Sequence, residues 1–217
     1  MRRFALLFVV AAAASASTAF AATLTISSWH LWAGSQPLTK SSCTLTGTSV
    51  ATDTYSDENA YGDNSAGTTL SVKPGTGSRQ WTFIRFNLAS CAIPTTGGAD
   101  TAMLTLRITA APTASRTLTV APVLNTWTGA TLANFLTALG LNFGASTTTF
   151  ATGTTSNVYV SIPVTIDVDA LIKSSTANYG WQIIDAGGGF GSRTTTFAST
   201  NNGTAAHRPT LVINYEK

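Results

Sequence analysis

The sequence predicts an all-β fold, a jelly-roll-like antiparallel β-sandwich with one or two short helical inserts. Three observations predict it. Short β-rich runs recur along the chain. Gly, Pro and Asn-Gly turn chemistry separates them. Threonine supplies 39 of 217 residues while charged residues make up only 10%. Thr is β-branched and suits a half-exposed pleated surface, so this chain covers its strands with hydroxyls rather than with Lys or Glu.

The elements follow in order. Arg2 and Arg3 precede an apolar run from Phe4 to Ala14, and Ala19-Phe20-Ala21 supplies small residues. This reads as a secretory signal, residues 1–21, cleaved after Ala21. A bilayer crossing needs about 20 apolar residues, so the run is too short to remain as an anchor. No other stretch is apolar and long enough to span a membrane. Cleavage removes two of the 12 basic side chains, leaving 10 against 9 acidic ones and a net charge of +1. Such a surface gives little electrostatic grip on nucleic acid or acidic lipid.

Residues 22–49 form an extended arm, with a strand at Thr23–Ser28 and Trp29, His30 and Trp32 close together. The arm either packs on its own domain or pairs with a neighbouring subunit. Residues 50–217 make the sandwich. Its strands are expected at Val50–Tyr55, Thr69–Lys73, Trp81–Leu88, Ala102–Thr109, Thr117–Leu124, Thr148–Thr152, Val158–Asp167, Trp181–Asp185, Thr194–Ser199 and Thr210–Tyr215, after a first one at Cys43–Thr46. One helix is expected over Thr131–Leu139, capped by Thr131, with Leu132, Phe135, Leu136 and Leu139 on one face. A second is expected over Asp169–Ser174.

Cys43 and Cys91 are the two cysteines. In an exported chain they are expected to form a disulfide, with two free buried thiols as the alternative. The bond closes a loop of roughly 48 residues, worth about 4 kcal/mol in the loop-entropy model.

From Val50 onward the chain resembles the DNRLRE-domain proteins, also grouped as carbohydrate-binding module family 96. The likeness rests on Asp53-Thr54-Tyr55 with Tyr61-Gly62-Asp63-Asn64-Ser65, and on Phe83-Ile84-Arg85-Phe86-Asn87-Leu88 followed by Ile93-Pro94. It continues in Ile166-Asp167-Val168 with Asn178-Tyr179-Gly180, and in Phe197-Ala198-Ser199 with Arg208-Pro209 and Leu211-Val212-Ile213-Asn214-Tyr215. The resemblance implies a secreted jelly roll, in some relatives a polysaccharide binder. Two departures stand out. Thr200-Asn201 occupies a usually acidic position, and a Leu-rich insert follows Trp127 where a second Trp is usual.

No hydrolase pattern stands out. His30 and His207 are the only histidines, no Gly-x-Ser-x-Gly elbow exists, and Gly187-Gly188-Gly189 precedes no helix. No enzyme is expected, and no cofactor is required. Asp53, Asp57, Glu58 and Asp63, with Asn59 and Asn64, crowd one stretch and are candidate ligands for a structural Ca²⁺. Tyr61, Trp81, Tyr179 and Trp181 are the candidate sugar-stacking residues, with Asp57 and Asp63 for hydroxyls. Trp127 is assigned to the core. Arg85 is read mainly as a structural residue, pairing Asp53 or Asp167 or facing solvent.

Two functions follow as expectations. The first is a secreted, non-catalytic module whose partner is a polysaccharide or a cell-surface or matrix glycan, acting in binding or adhesion. The second is a fibre subunit that self-associates through residues 22–49. A diverged lyase or hydrolase finds no convincing acid/base pair.

Overall fold

The computed structural model describes residues 39–217 except 146, 175–176 and 188–192. The signal, residues 22–38 of the arm, its strand Thr23–Ser28 and the Gly188-Gly189 pair lie outside the described residues. Eleven strands, all paired antiparallel, form two sheets within them. The strands are β1 (Lys40–Thr46), β2 (Ala51–Asp57), β3 (Thr69–Val72), β4 (Gln80–Phe86), β5 (Ala99–Ala110), β6 (Thr117–Pro122), β7 (Thr148–Ala151), β8 (Val158–Pro163), β9 (Trp181–Ile184), β10 (Thr195–Ala198) and β11 (Thr210–Glu216). The helices are α1 (Gly129–Leu132), α2 (Phe135–Leu139) and α3 (Thr165–Lys173).

The first sheet runs β1-β11-β5-β10-β3, with β8 on the other edge of β5. The second runs β2-β4-β9-β6-β7. Period-2 alternation decides which face each residue takes. On β5, Ala102, Leu104, Leu106 and Ile108 point inward and are fully buried. On β11, Leu211, Ile213 and Tyr215 do the same. Ile84 and Phe86 of β4 and Trp181 and Ile183 of β9 meet them from the second sheet. Each such side chain contributes about 1.5–3 kcal/mol of burial.

β1 covers the strand expected at Cys43–Thr46 and begins three residues earlier. Lys40 to Thr46 pair residue for residue with Glu216 to Thr210 of β11, so this part of the 22–49 segment is a strand of the sandwich itself. The Cys43–Cys91 disulfide is present, with a Cα–Cα distance of 5.6 Å, and joins β1 to the 3-10 turn after β4.

Two element boundaries differ from expectation. The strand expected to run to Asp167 stops at Pro163, and α3 begins at Thr165. Proline has no N–H to continue the ladder, and Val164, Val168 and Ile172 recur at the helical spacing of four and are buried together. The single helix expected at Thr131–Leu139 is two short ones. Thr128 caps α1 with Thr131 closing a capping box, and Asn134 caps α2 by accepting from Leu136 N. Leu132 and Phe135 are buried, while Leu136 and Leu139 face solvent.

This insert has a structural task. The outer face of β4 carries Trp81, Phe83 and Arg85. Phe83 forms a second apolar cluster with Val123, Trp127, Leu132 and Ala138, separate from the inter-sheet core. The insert therefore roofs the outer side of the second sheet. Ser56 Oγ of β2 ties it down by donating to Leu132 O at 2.7 Å. No helix among the described residues is long and apolar enough to cross a membrane.

Candidate functional site

The insert stops short of one end of β4, and a cleft of about 540 Å³ opens there. Thr52, Arg85, Asn87, Leu88, Leu171 and Asn178 line it. A second depression of about 300 Å³ shares Leu171 and adds Leu124, Ala177 and Tyr179. The two together give a polar half and an apolar half side by side.

Local sequence builds this place. Asn178 Nδ2 donates to Phe86 O at 2.7 Å, and its Oδ1 accepts from Gly180 N at 2.9 Å, which fixes the loop before β9 against the end of β4. Gly180 has φ +74°, and a Cβ there would collide with the Ile84 carbonyl and the Arg85 backbone. Only glycine allows that approach. Trp127 Nε1 donates to Tyr179 O at 2.6 Å. The Arg85 guanidinium lies 5.3 Å from the centroid of the Trp127 ring.

Arg85 pairs with neither expected acid. Asp53 points to the opposite face, where its carboxylate accepts from Thr200 N at 2.7 Å and Thr200 Oγ1 at 3.0 Å. Asp167 accepts from Trp181 Nε1 at 2.8 Å. In register, Arg85 faces Thr52. The guanidinium thus reaches the cleft held by an aromatic face, with no ion pair among the described residues. An aromatic face holds a cation without using its N–H donors, so they remain for a ligand.

The aromatic residues singled out from sequence do not form one platform. Tyr179 is half-buried beside the cleft and packs on the outer cluster. Tyr61, 76% exposed, stands in the loop after β2, which Gly62 N anchors to Ala133 O of the insert. Trp81 is half-buried at the far end of β4, about 13 Å from Arg85 at strand rise. Its ring packs on Phe135 at 4.8 Å, and Arg79 lies over both rings. Trp181 is a correction. It is fully buried in the inter-sheet core because position 181 falls on the inward parity of β9, so it presents no face to a ligand.

The carboxylates of the acidic stretch take separate partners. A Ca²⁺ cage needs six to eight converging oxygens, and these carboxylates are each committed elsewhere. Asp53 lies inside the fold, and burial raises its pKa to about 6 against the pull of its two Thr200 hydrogen bonds. Asp57 accepts from Asn59 N and Gln80 Nε2. Glu58 takes three N–H groups of Arg79, whose side-chain hydrogen bonds chiefly hold its pKa down at about 2. Asp63 caps Ser65 N at 2.9 Å. Among the described residues no three His, Cys, Asp or Glu side chains gather for a metal.

Of the ligand candidates singled out from sequence, only Tyr179 borders the cleft. The further signal was Arg85, an arginine between Ile84 and Phe86, which sequence reasoning assigned mainly to a structural role.

The class is thus a two-sheet antiparallel β-sandwich with a side cleft of mixed polarity. Residues 44–215 match the model of carbohydrate-binding module family 96, and the chain belongs to that family. No curated protein matches it.

Proposed function

We propose that the protein is a secreted, non-catalytic module that binds a polysaccharide in the Arg85–Tyr179 cleft and so adheres to a glycan surface. The observation that carries this reading is Arg85, held over the Trp127 ring and with no carboxylate partner among the described residues, at the meeting of a polar and an apolar wall. A sugar offers a matching pair of surfaces: C–H faces for Tyr179 and Leu171, oxygens for the guanidinium and Thr52. Export is supported by the basic-then-apolar start of the sequence and by the disulfide.

The test is retention on a set of insoluble polysaccharides. Arg85→Gln and Tyr179→Ala are each expected to weaken binding about tenfold, the usual scale for a central contact. Wild-type retention by both variants rejects the cleft.

One observation favours a second reading, a fibre subunit. β1 is an edge strand among the described residues and lies just after residues 22–38 in the sequence, and a strand edge of this kind offers main-chain donors and acceptors to a neighbour's arm. Negative-stain microscopy of residues 22–217 at rising concentration tests it. Filaments that vanish on deletion of Thr23–Trp32 support strand donation; uniform monomers reject it.

A further inference from the structure

We propose that the module carries a second glycan-binding face, centred on Tyr159 and Arg107, on the outer side of the opposite sheet. It rests on the carbohydrate-binding reading above but uses a different surface.

Outward parity on β5 and β8 places Arg107 directly across from Tyr159. Tyr159 is 51% exposed, and its hydroxyl donates to Ala206 O at 2.9 Å, which pins the ring without covering it. The Arg107 guanidinium stands 6.0 Å from the ring centroid. Nη1 bonds His207 Nδ1 at 2.6 Å, and Nη2 donates to Asn157 Oδ1 at 3.1 Å. Asn157 holds a left-handed φ of 62°, rare outside glycine, and its N–H donates to Ile108 O. That backbone sets the amide beside the arginine.

The chemistry of the group points outward. Arg79 and Arg116 are closed off by Glu58 and Asp185. Arg107 has no carboxylate partner among the described residues and is oriented by neutral acceptors instead. Two of its five N–H groups are used in those bonds. Arginine is always a donor, so His207 Nδ1 accepts, and in the neutral ring the proton sits on Nε2 as a further donor. The Asn157 amide NH₂ adds two more. Thr105 and Ser161 extend the surface with paired hydroxyls, 3.3 Å apart, one row along the sheet. A pinned, half-exposed aromatic ring bordered by oriented donors is a fit for one pyranose unit: its C–H face on Tyr159, its oxygens toward Arg107, His207 and Asn157.

The Arg85 cleft opens on the second sheet, while Tyr159 stands on the outer face of the first. Sheets in a sandwich pack about 10 Å apart. One module thus engages two polysaccharide chains, or two segments of one, and gains avidity from the pairing.

The test is isothermal titration of the mature chain with cello-, xylo-, chito- and galacturono-hexaose, alongside Tyr159→Ala, Tyr159→Phe and the cleft double variant Arg85→Gln/Tyr179→Ala. Thermal melts check that each is folded. With the hexaose that binds, two equivalents are expected for wild type and Tyr159→Phe, and one each for Tyr159→Ala and the cleft variant. The affinity lost at each deleted face is about tenfold or more. One equivalent in wild type, abolished in the cleft variant and unmoved by Tyr159→Ala, overturns the second face and leaves the cleft standing. One equivalent that Tyr159→Ala abolishes and the cleft variant retains overturns the cleft and keeps this face. Binding of no hexaose overturns both.

Discussion

The two apolar clusters on either side of the second sheet are built differently. The inner one joins two sheets and draws on β1 to β11 along nearly the whole described chain. The outer one rests on one sheet and is roofed by about fifteen residues of insert, through Phe83, Trp127, Leu132 and Ala138. The inner cluster makes the fold. The outer one positions Trp127, and through it Arg85 and Tyr179. A core shared by all strands is lost only when the whole domain unfolds, whereas a roof held by one segment opens on its own. The Arg85–Tyr179 cleft therefore depends on the less cooperative of the two.

Substitutions sharpen this contrast. Trp181→Ala, in the inner cluster, has the largest expected effect, about 3–5 kcal/mol, and chemical denaturation reads it as loss of global stability. Trp127→Ala costs about 2–4 kcal/mol. Its signature is local: hydrogen exchange speeds up across residues 128–143 while amides of β5 and β11 stay protected. Equal acceleration in both places would show that the two clusters are one cooperative unit.

Asp53 gives the inner side a pH signature. Its pKa is raised in the folded state to about 6 from 3.8. The native protein holds this proton more tightly than the unfolded chain, so the contribution is fully present below pH 3.8 and is lost as pH rises through 6. The scale is of order 2–3 kcal/mol. Asp53→Asn is expected to flatten the melting-temperature profile between pH 4 and 6. Glu58 acts in the opposite sense: held down at about 2 by Arg79, it contributes above its ordinary value of 4.5 and loses that contribution as pH falls toward 2. Glu58→Gln tests that window separately.

Ser56→Ala removes one tie between sheet and roof and leaves the Leu132 carbonyl unpaired by it, at a cost of about 1 kcal/mol. Tyr61→Ala is the smallest, within about 0.5 kcal/mol, because the ring is exposed. A large loss of stability there would mean that the loop after β2 helps to hold the insert.

The β-rich runs read from sequence coincide with most of the strands, since β-branched patterning and turn residues act locally. The Cys43–Cys91 bond was legible because only one pairing exists. The candidate site was less legible. Trp181 and Tyr179 sit two residues apart in similar surroundings, yet one is core and the other borders a cleft. Parity would put residues two apart on one face; Gly180, with φ +74° just before β9, breaks the alternation, and Tyr179 packs on the outer cluster instead. The carboxylates at 53, 57, 58 and 63 are neighbours in sequence but take different faces and partners, so crowding in the chain did not become convergence in space.

By itself, the sequence determined the all-β class, most strand positions, the disulfide and the family. These follow from period-2 patterning, turn residues and spacing, all of which act over a few residues or through a single covalent choice. Tertiary structure alone decided that an insert covers the outside of the second sheet, that Arg85 stacks on Trp127 instead of pairing with an acid, and that Tyr159 meets Arg107 and His207. Those contacts join residues from about 40 to 100 positions apart, and it is sheet order and register, set by the packing of the whole core, that bring them together.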